Sequence, residues 1–438
     1  MLILIVALGI DNAILKINDL VNKTFIPEGA KLLLFAVNSS LCLLFVFIIL
    51  TYLEASFKKN PLNKKFDLEL LYRFSLNSLF VIATLMALLV FQQYDNSYYN
   101  ISISIFIIII SYGTATGFLI KLIMLFLSWW RSNPNWVLSL FITSMILITF
   151  NLAITAIVTV IKLGDRSDEI RPFVGGAVDI SAGKYVFLNN IYTVTTLTSF
   201  VCFWVTTAIL INYYRERSFS KLTYWILLAI PLVYFLLNYI YPFILSTLLS
   251  GSMALDPVTV SLYLTTFLTL SKPIGGLTFA IAFWKISSIL SYEKNIKTYM
   301  IVCGWGIFLI FSTNQAGTQT LAPYPPFGLA TTSALILGSF MMLLGVYNSA
   351  VLVGNNNKLR TSIRQYALES SLLGAVGTSQ MSKEIAQTVK KITRLKYQLE
   401  TDEELPIDFD ESGLKDYLSH LVVEVKKQRD KKENDSIV

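Results

Sequence analysis

The sequence predicts an all-α polytopic transmembrane bundle followed by a helical tail. Three observations predict it. Hydrophobic residues make up 54% of the 438-residue chain and charged residues only 14%, against roughly a quarter charged in soluble domains. Apolar runs of about 20 residues, the length of helix that crosses a bilayer, recur along the chain. The basic residues between those runs fall in alternate connections, as they do when basic loops face the cytoplasm.

Charge narrows the function classes. The net charge is +7. The tail from Asn355 onward is balanced, so the excess belongs to the membrane portion, where it orients the chain. Membrane lipid is then the expected partner and nucleic acid is not. Cys42, Cys202 and Cys303 all lie in apolar runs, so no disulfide framework or thiolate metal set is legible. His420 is the single histidine. No metal or cofactor is expected.

Residues 1–30 form the first unit. Met1 to Ile10 is apolar, but at about 1.5 Å per residue it covers half a bilayer. It lacks a basic n-region and a small-residue cleavage site. It reads as a half-span, an interfacial helix or the end of a longer span. Residues 11–30 read as a polar external loop containing Asn22-Lys23-Thr24, a glycosylation pattern that also arises by chance.

Residues 31–354 form the bundle. Nine full spans are expected, at about 31–54, 74–94, 104–130, 136–163, 187–214, 222–248, 258–290, 299–316 and 328–353. Lys58, Lys59, Lys64, Lys65 and Arg73, then Arg131, then Arg215, Arg217 and Lys221, then Lys294 and Lys297 mark the cytoplasmic side. Connections 95–103, 249–257 and 317–327 carry no Lys or Arg. The outer segment 164–186 mixes Arg166, Arg171 and Lys184 with four acids, and reads as a small folded or lid-like piece. Trp129, Trp130, Trp136, Trp225 and Trp284 lie at predicted inner edges, where amphipathic rings prefer to sit. No internal repeat is visible, and an inverted-repeat transporter would show paired interruptions.

Residues 355–438 form a cytoplasmic tail. Lys358 to Leu373 reads as a helix continuing from the last span, interrupted by Gly374 and Gly377. Ser379 then caps a second helix with Met381, Ile385, Val389, Ile392, Leu395 and Leu399 on one face. A third helix carries Leu414, Leu418, Leu421, Val422 and Val425. Two amphipathic helices of this size are marginal alone, which points to a protein partner or self-association through residues 380–430.

Pro323-Tyr324-Pro325-Pro326-Phe327-Gly328, the final span, Leu359-Arg360-Thr361-Ser362-Ile363-Arg364 and the Leu372-to-Ile385 segment resemble uncharacterised polytopic membrane proteins of ammonia-oxidising archaea. The resemblance covers about the last quarter of the chain. It implies a cell-membrane protein and carries no activity with it.

The candidate site centres on Leu270-Ser271-Lys272-Pro273-Ile274-Gly275-Gly276, inside the long apolar segment 258–290. A lysine at mid-bilayer costs about 2.5–3.5 kcal/mol on insertion scales. Its usual offset is a buried carboxylate. The acids before Asn355 lie in loops or at span ends, so no such partner is expected. Pro273 frees a carbonyl one turn earlier. Lys272 is therefore either a structural lysine bonded to freed carbonyls and buried Asn or Tyr groups, or a contact for an anion or polar ligand. In the ligand reading Pro273, Gly275 and Gly276 open the backbone around it, and Asn314 and Gln315 sit at the outer mouth. Lys121, in the inner half of 104–130, is a second candidate, with snorkelling toward the headgroups as its plainer role. Asn38, Asn77, Asn151, Asn189, Asn190, Asn238 and Asn348 supply interhelical hydrogen bonds or line a polar cavity. Gly304, Gly306, Gly338 and Gly345 permit close helix contact. His420, off the apolar stripe of its helix, reads as a solvated surface residue.

No P-loop, dinucleotide glycine fingerprint, HExxH or nucleophile elbow is present, so no enzyme is expected. Two classes remain. One is a non-enzymatic sensor or interaction protein coupled to its tail, acting in signal transduction. The other is a transporter or channel for a small solute or anion around a broken seventh span.

Overall fold

The computed structural model describes residues 1–21, 27–58, 68–165, 169–170, 183–213, 221–250, 267, 270–289, 294–314, 324–356 and 372–401. The helices are α1 (Leu2–Val21), α2 (Glu28–Lys58), α3 (Leu68–Asn96), α4 (Ile101–Ser132), α5 (Trp136–Gly164), α6 (Gly183–Tyr213), α7 (Lys221–Ser250), α8 (Ser271–Ile289), α9 (Lys294–Thr313), α10 (Leu329–Asn355) and α11 (Leu372–Thr401). Strands β1 (Tyr99–Asn100) and β2 (Glu169–Ile170) pair antiparallel, Tyr99 opposite Ile170. This two-residue clasp ties the α3–α4 connection to the α5–α6 segment and marks one end of the bundle. The α4–α5 turn and the docked α11 mark the other, the tail end.

Among the described residues seven helices are long and apolar enough to cross a membrane: α2, α3, α4, α5, α6, α9 and α10. Shorter apolar stretches occur at Leu2–Asn12 and Leu222–Leu237. The chain is therefore an all-α, multi-pass membrane bundle. Of the expected seventh span, 258–290, residues 258–266, 268–269 and 290 lie outside the described residues. Its described helical part is the 19-residue α8, which has Ser271, Lys272 and Pro273 as its first residues.

α10 is the axis. Every residue from Leu329 to Gly354 is buried, and α1, α2, α3, α4, α9 and α11 all pack on it. Glycines set the closest seam, between α9 and α10. A Cβ on Gly306 would fall 2.6 Å from the Met342 nitrogen, and one on Gly345 2.7 Å from the Tyr299 carbonyl. Without side chains there, two backbones meet and gain dispersion contacts along their length, the main attraction between helices in lipid. The expectation that Gly304, Gly306, Gly338 and Gly345 serve packing is met. On the far side of α9, α8 packs against α6, α7 and α9, while α5 lies between α4 and α6.

Several expectations are corrected. α1 runs through Asp11 to Val21 instead of ending at Ile10, and Asp11 is fully buried. A polar residue ends an apolar run in a sequence, but it does not end a helix whose polar face has a partner. α11 is continuous from Leu372, with Gly374 and Gly377 inside it. Ser379 is mid-helix, its Oγ donating to the Ala375 carbonyl at 2.8 Å. Gly377 is there for contact: a Cβ would lie 2.1 Å from Val353 Cγ1. Trp129 is no interfacial ring. It is wholly buried, and its Nε1 donates to Gln380 Oε1 at 2.8 Å. Asn133 Nδ2 donates to Thr378 Oγ1 at 3.3 Å, and Lys383 Nζ to Ser128 Oγ at 2.8 Å. The start of α11 thus docks on the tail end of α4 and α10. Asn22, Gln315, His420, residues 402–438 and the 357–371 connection lie outside the described residues.

Candidate functional site

Five helices converge on Lys272. It occupies the first turn of α8, where Pro273 is at home because the first amides of a helix have no intrahelical acceptor. The first turn-to-turn bond runs from the Ile274 nitrogen to the Leu270 carbonyl at 2.9 Å. The proline therefore sits in the first turn of α8. Lys272 Nζ donates to the Tyr192 hydroxyl at 2.9 Å and to the Asn314 carbonyl at 3.3 Å. Nζ also lies 5.2 Å from the centroid of the Tyr192 ring. Asn314 follows the last residue of α9, so its carbonyl belongs to the negative end of that helix, which carries roughly half an elementary charge. A helix terminus and a phenol thus take the place of the missing carboxylate.

The Asn314 side chain extends the group. Its Oδ1 accepts from the Tyr112 hydroxyl of α4 at 3.3 Å. Its Nδ2 donates to Asn151 Oδ1 of α5 at 2.8 Å, and Asn151 Nδ2 donates to Thr196 Oγ1 of α6 at 2.9 Å. Interhelical bonds of this kind contribute about 0.6–2 kcal/mol each. Tyr112 lies roughly 6 Å on the clasp side of the middle of α4, by helical rise, so the group is intramembrane.

Tyr192 is the hub. Tyr112, Lys162 and Tyr239 all lie within electrostatic reach of its hydroxyl. Lys162, in the last turn of α5, donates to Asn189 Oδ1 at 2.6 Å. Lys272 thus contacts this phenol and Lys162 lies within electrostatic reach of it, and neither has a carboxylate partner among the described residues. Ser111 and Thr155, level with each other across the α4–α5 hairpin, and Ser271, beside Lys272, are buried with Oγ atoms that meet no partner. Buried polar atoms without partners are uncommon and mark a place for water or a ligand.

The predicted site residues separate. Lys272 and Asn314 come together, with Pro273 placing the first turn of α8. Gly275 and Gly276 serve packing. A Cβ on Gly275 would lie 2.3 Å from the Phe200 ring, and one on Gly276 2.7 Å from Phe311 Cβ. Lys121 stands about 14 Å further along α4 from Tyr112, away from this group. Sequence reasoning missed Tyr112, Tyr192 and Lys162. Tyrosine inside an apolar run has no polar signature, and Lys162 reads as a span end. A usable signal was the line Ser144, Asn151, Thr155, Thr159 and Lys162, which falls on one face of α5 at helical spacing.

No family model, curated protein or solved structure matches this chain.

Proposed function

We propose that this chain is a membrane sensor for a small anion, with Lys272, Lys162, Tyr192 and Asn314 as the ligand contacts and α11 as the output. The carrying observation is the double role of α4. Its Tyr112 bonds to Asn314 beside Lys272, and its Trp129 and Ser128 hold α11. The two ends are about 26 Å apart by helical rise, joined by one uninterrupted helix. An anion between the ammonium groups draws Lys272 off the Asn314 carbonyl and so loads the Tyr112 bond. The reading includes a cytoplasmic tail, a protein partner or second copy on the rest of the 380–430 stretch, no enzymatic activity, and membership of the archaeal family that the chain resembles.

The test uses the full chain in lipid nanodiscs with chloride, sulfate or phosphate at constant ionic strength. One anion should raise the thermal midpoint and change amide exchange in 372–388. Lys272→Met, which matches the lysine in length without its charge, should lose both effects. Tyr112→Phe should keep the stabilisation and lose the response at α11. If none of the three anions moves the wild-type midpoint, Lys272 is structural and the sensor reading fails. Anion flux through proteoliposomes with α11 unchanged would put the transporter or channel reading in its place.

A further inference from the structure

The far half of α11 carries a charged face that the group around Lys272 does not use. Bonds to α4 step along the start of α11: Asn133 Nδ2 to Thr378, Trp129 Nε1 to Gln380 and Lys383 Nζ to Ser128. With the middle of α4 at the middle of the bilayer, Asn133, Trp129 and Ser128 lie roughly 25, 19 and 17 Å from it by helical rise. The hydrocarbon ends about 15 Å from the middle. α11 therefore nears the hydrocarbon edge as it runs from Thr378 to Lys383, and the residues after Lys383 begin at headgroup depth. Trp130, beside Ser128 and 39% exposed, suits that depth.

The docked half also fixes the rotation of the helix. Its bundle side carries Leu372, Val376 and Ser379, all buried, and then Lys383. Its far side carries Ser382, Ile385 and Thr388, all exposed. Residues three and four apart share a helix face, and α11 is continuous to Thr401. Continued at that spacing, the bundle side comes to Lys390 and Arg394, with Lys391 next to them. The apolar positions Ile392, Leu395 and Leu399 continue the far side. Between Ile385 and Leu399 the chain has Lys390, Lys391, Arg394 and Lys396 and no Asp or Glu. The acid just before them, Glu384, accepts from Gln380 Nε2 at 2.9 Å. A face that is apolar where it meets the bundle thus turns basic further along the same helix.

We propose that Lys390, Lys391 and Arg394 bind the headgroups of anionic phospholipids in the leaflet at the tail end. Cations are costly in hydrocarbon, so they hold this half of α11 in the headgroup layer, where a negative surface attracts each of them. The apolar far side is left for the protein partner or second copy of the proposed sensor. The lipid contact needs the docked α11 and no ligand at Lys272.

The experiment places the full chain in nanodiscs of phosphatidylcholine, with or without phosphatidylglycerol as the anionic probe, and reads amide exchange in 389–401. Phosphatidylglycerol should slow it at least about tenfold, since each cation near an anionic surface contributes about a factor of five, and salt should reverse the slowing. Lys390→Gln, Lys391→Gln and Arg394→Gln together keep helix propensity close to wild type. The triple variant should lose the slowing and keep wild-type exchange in 372–384. Equal exchange in the two lipids, free or protected, overturns the proposal; equal protection makes a protein surface the occupant. A slowing that survives in the triple variant overturns it too. Soluble glycerol phosphate that produces the same slowing in phosphatidylcholine makes free phosphate the ligand and also overturns it. Should the triple variant fail to fold, salt decides on the wild type: a lipid difference that survives high salt overturns the proposal.

Discussion

Replacing Gly377 by alanine tests the docking of α11 directly. The added Cβ would sit 2.1 Å from Val353 Cγ1 and 2.8 Å from Val353 Cβ. The second of these is not the end of a flexible side chain, so α11 must move off α10 by several tenths of an ångström. Overpacking of this kind costs about 1–3 kcal/mol. The gain in helix propensity of alanine over glycine, about 1 kcal/mol, acts on α11 docked and undocked alike, and so does not offset the clash. The same displacement stretches the Trp129–Gln380 and Lys383–Ser128 bonds, both 2.8 Å now. The undocked fraction should therefore rise roughly 5- to 150-fold, since 1.4 kcal/mol is about a factor of ten. Amide exchange reads such local opening while the rest of the fold stays closed. Amides of 372–388 should exchange faster by that factor, and those of α9 and α10 should be unchanged. Gly113→Ala on α4, where an added Cβ meets nothing within 4 Å, is the control. Exchange in 372–388 that is unchanged or slower in Gly377→Ala would refute the docked arrangement and remove the output from the proposed sensor.

Two further outcomes are expected. Gly345→Ala should lower the thermal midpoint, because its Cβ would fall 2.7 Å from the Tyr299 carbonyl and 2.8 Å from the Cys303 nitrogen, backbone atoms that yield only if α9 and α10 part; the net loss is up to about 2 kcal/mol after the propensity gain. Cysteines introduced as Lys432→Cys and Ala254→Cys, with the half-buried Cys202 replaced by serine and Cys42 and Cys303 buried, should react with an impermeant maleimide from opposite sides of the membrane; labelling from one side would overturn the cytoplasmic tail.

The spans and the close-packing glycines were legible in the sequence, and for one reason. The bilayer fixes how long an apolar helix must be, so 31–54, 74–94, 104–130 and 136–163 each fall inside an observed helix. Glycine has no bulk, so in an apolar run it marks a place where backbones approach. Lys272 and Asn314 also stood out, since polar atoms in such a run are anomalies by composition alone. The tertiary structure alone decided which faces meet. Lipid and protein interior are about equally apolar, so hydropathy does not say what a helix touches. α10 is buried along its whole length, while the more apolar α2 faces largely outward. The same blindness hid Asp11, which reads as the start of a loop and instead caps α10 from another helix. It hid Tyr112 and Tyr192, whose rings are apolar and whose hydroxyls matter only opposite a partner. Trp129 reads as a headgroup ring because tryptophan at a span's edge prefers that place, and Gln380, far along the chain, draws it inside. Length and composition are properties of one segment, and the bilayer reads them segment by segment. A hydrogen-bond partner is a property of two segments, and only the packed bundle brings the two together.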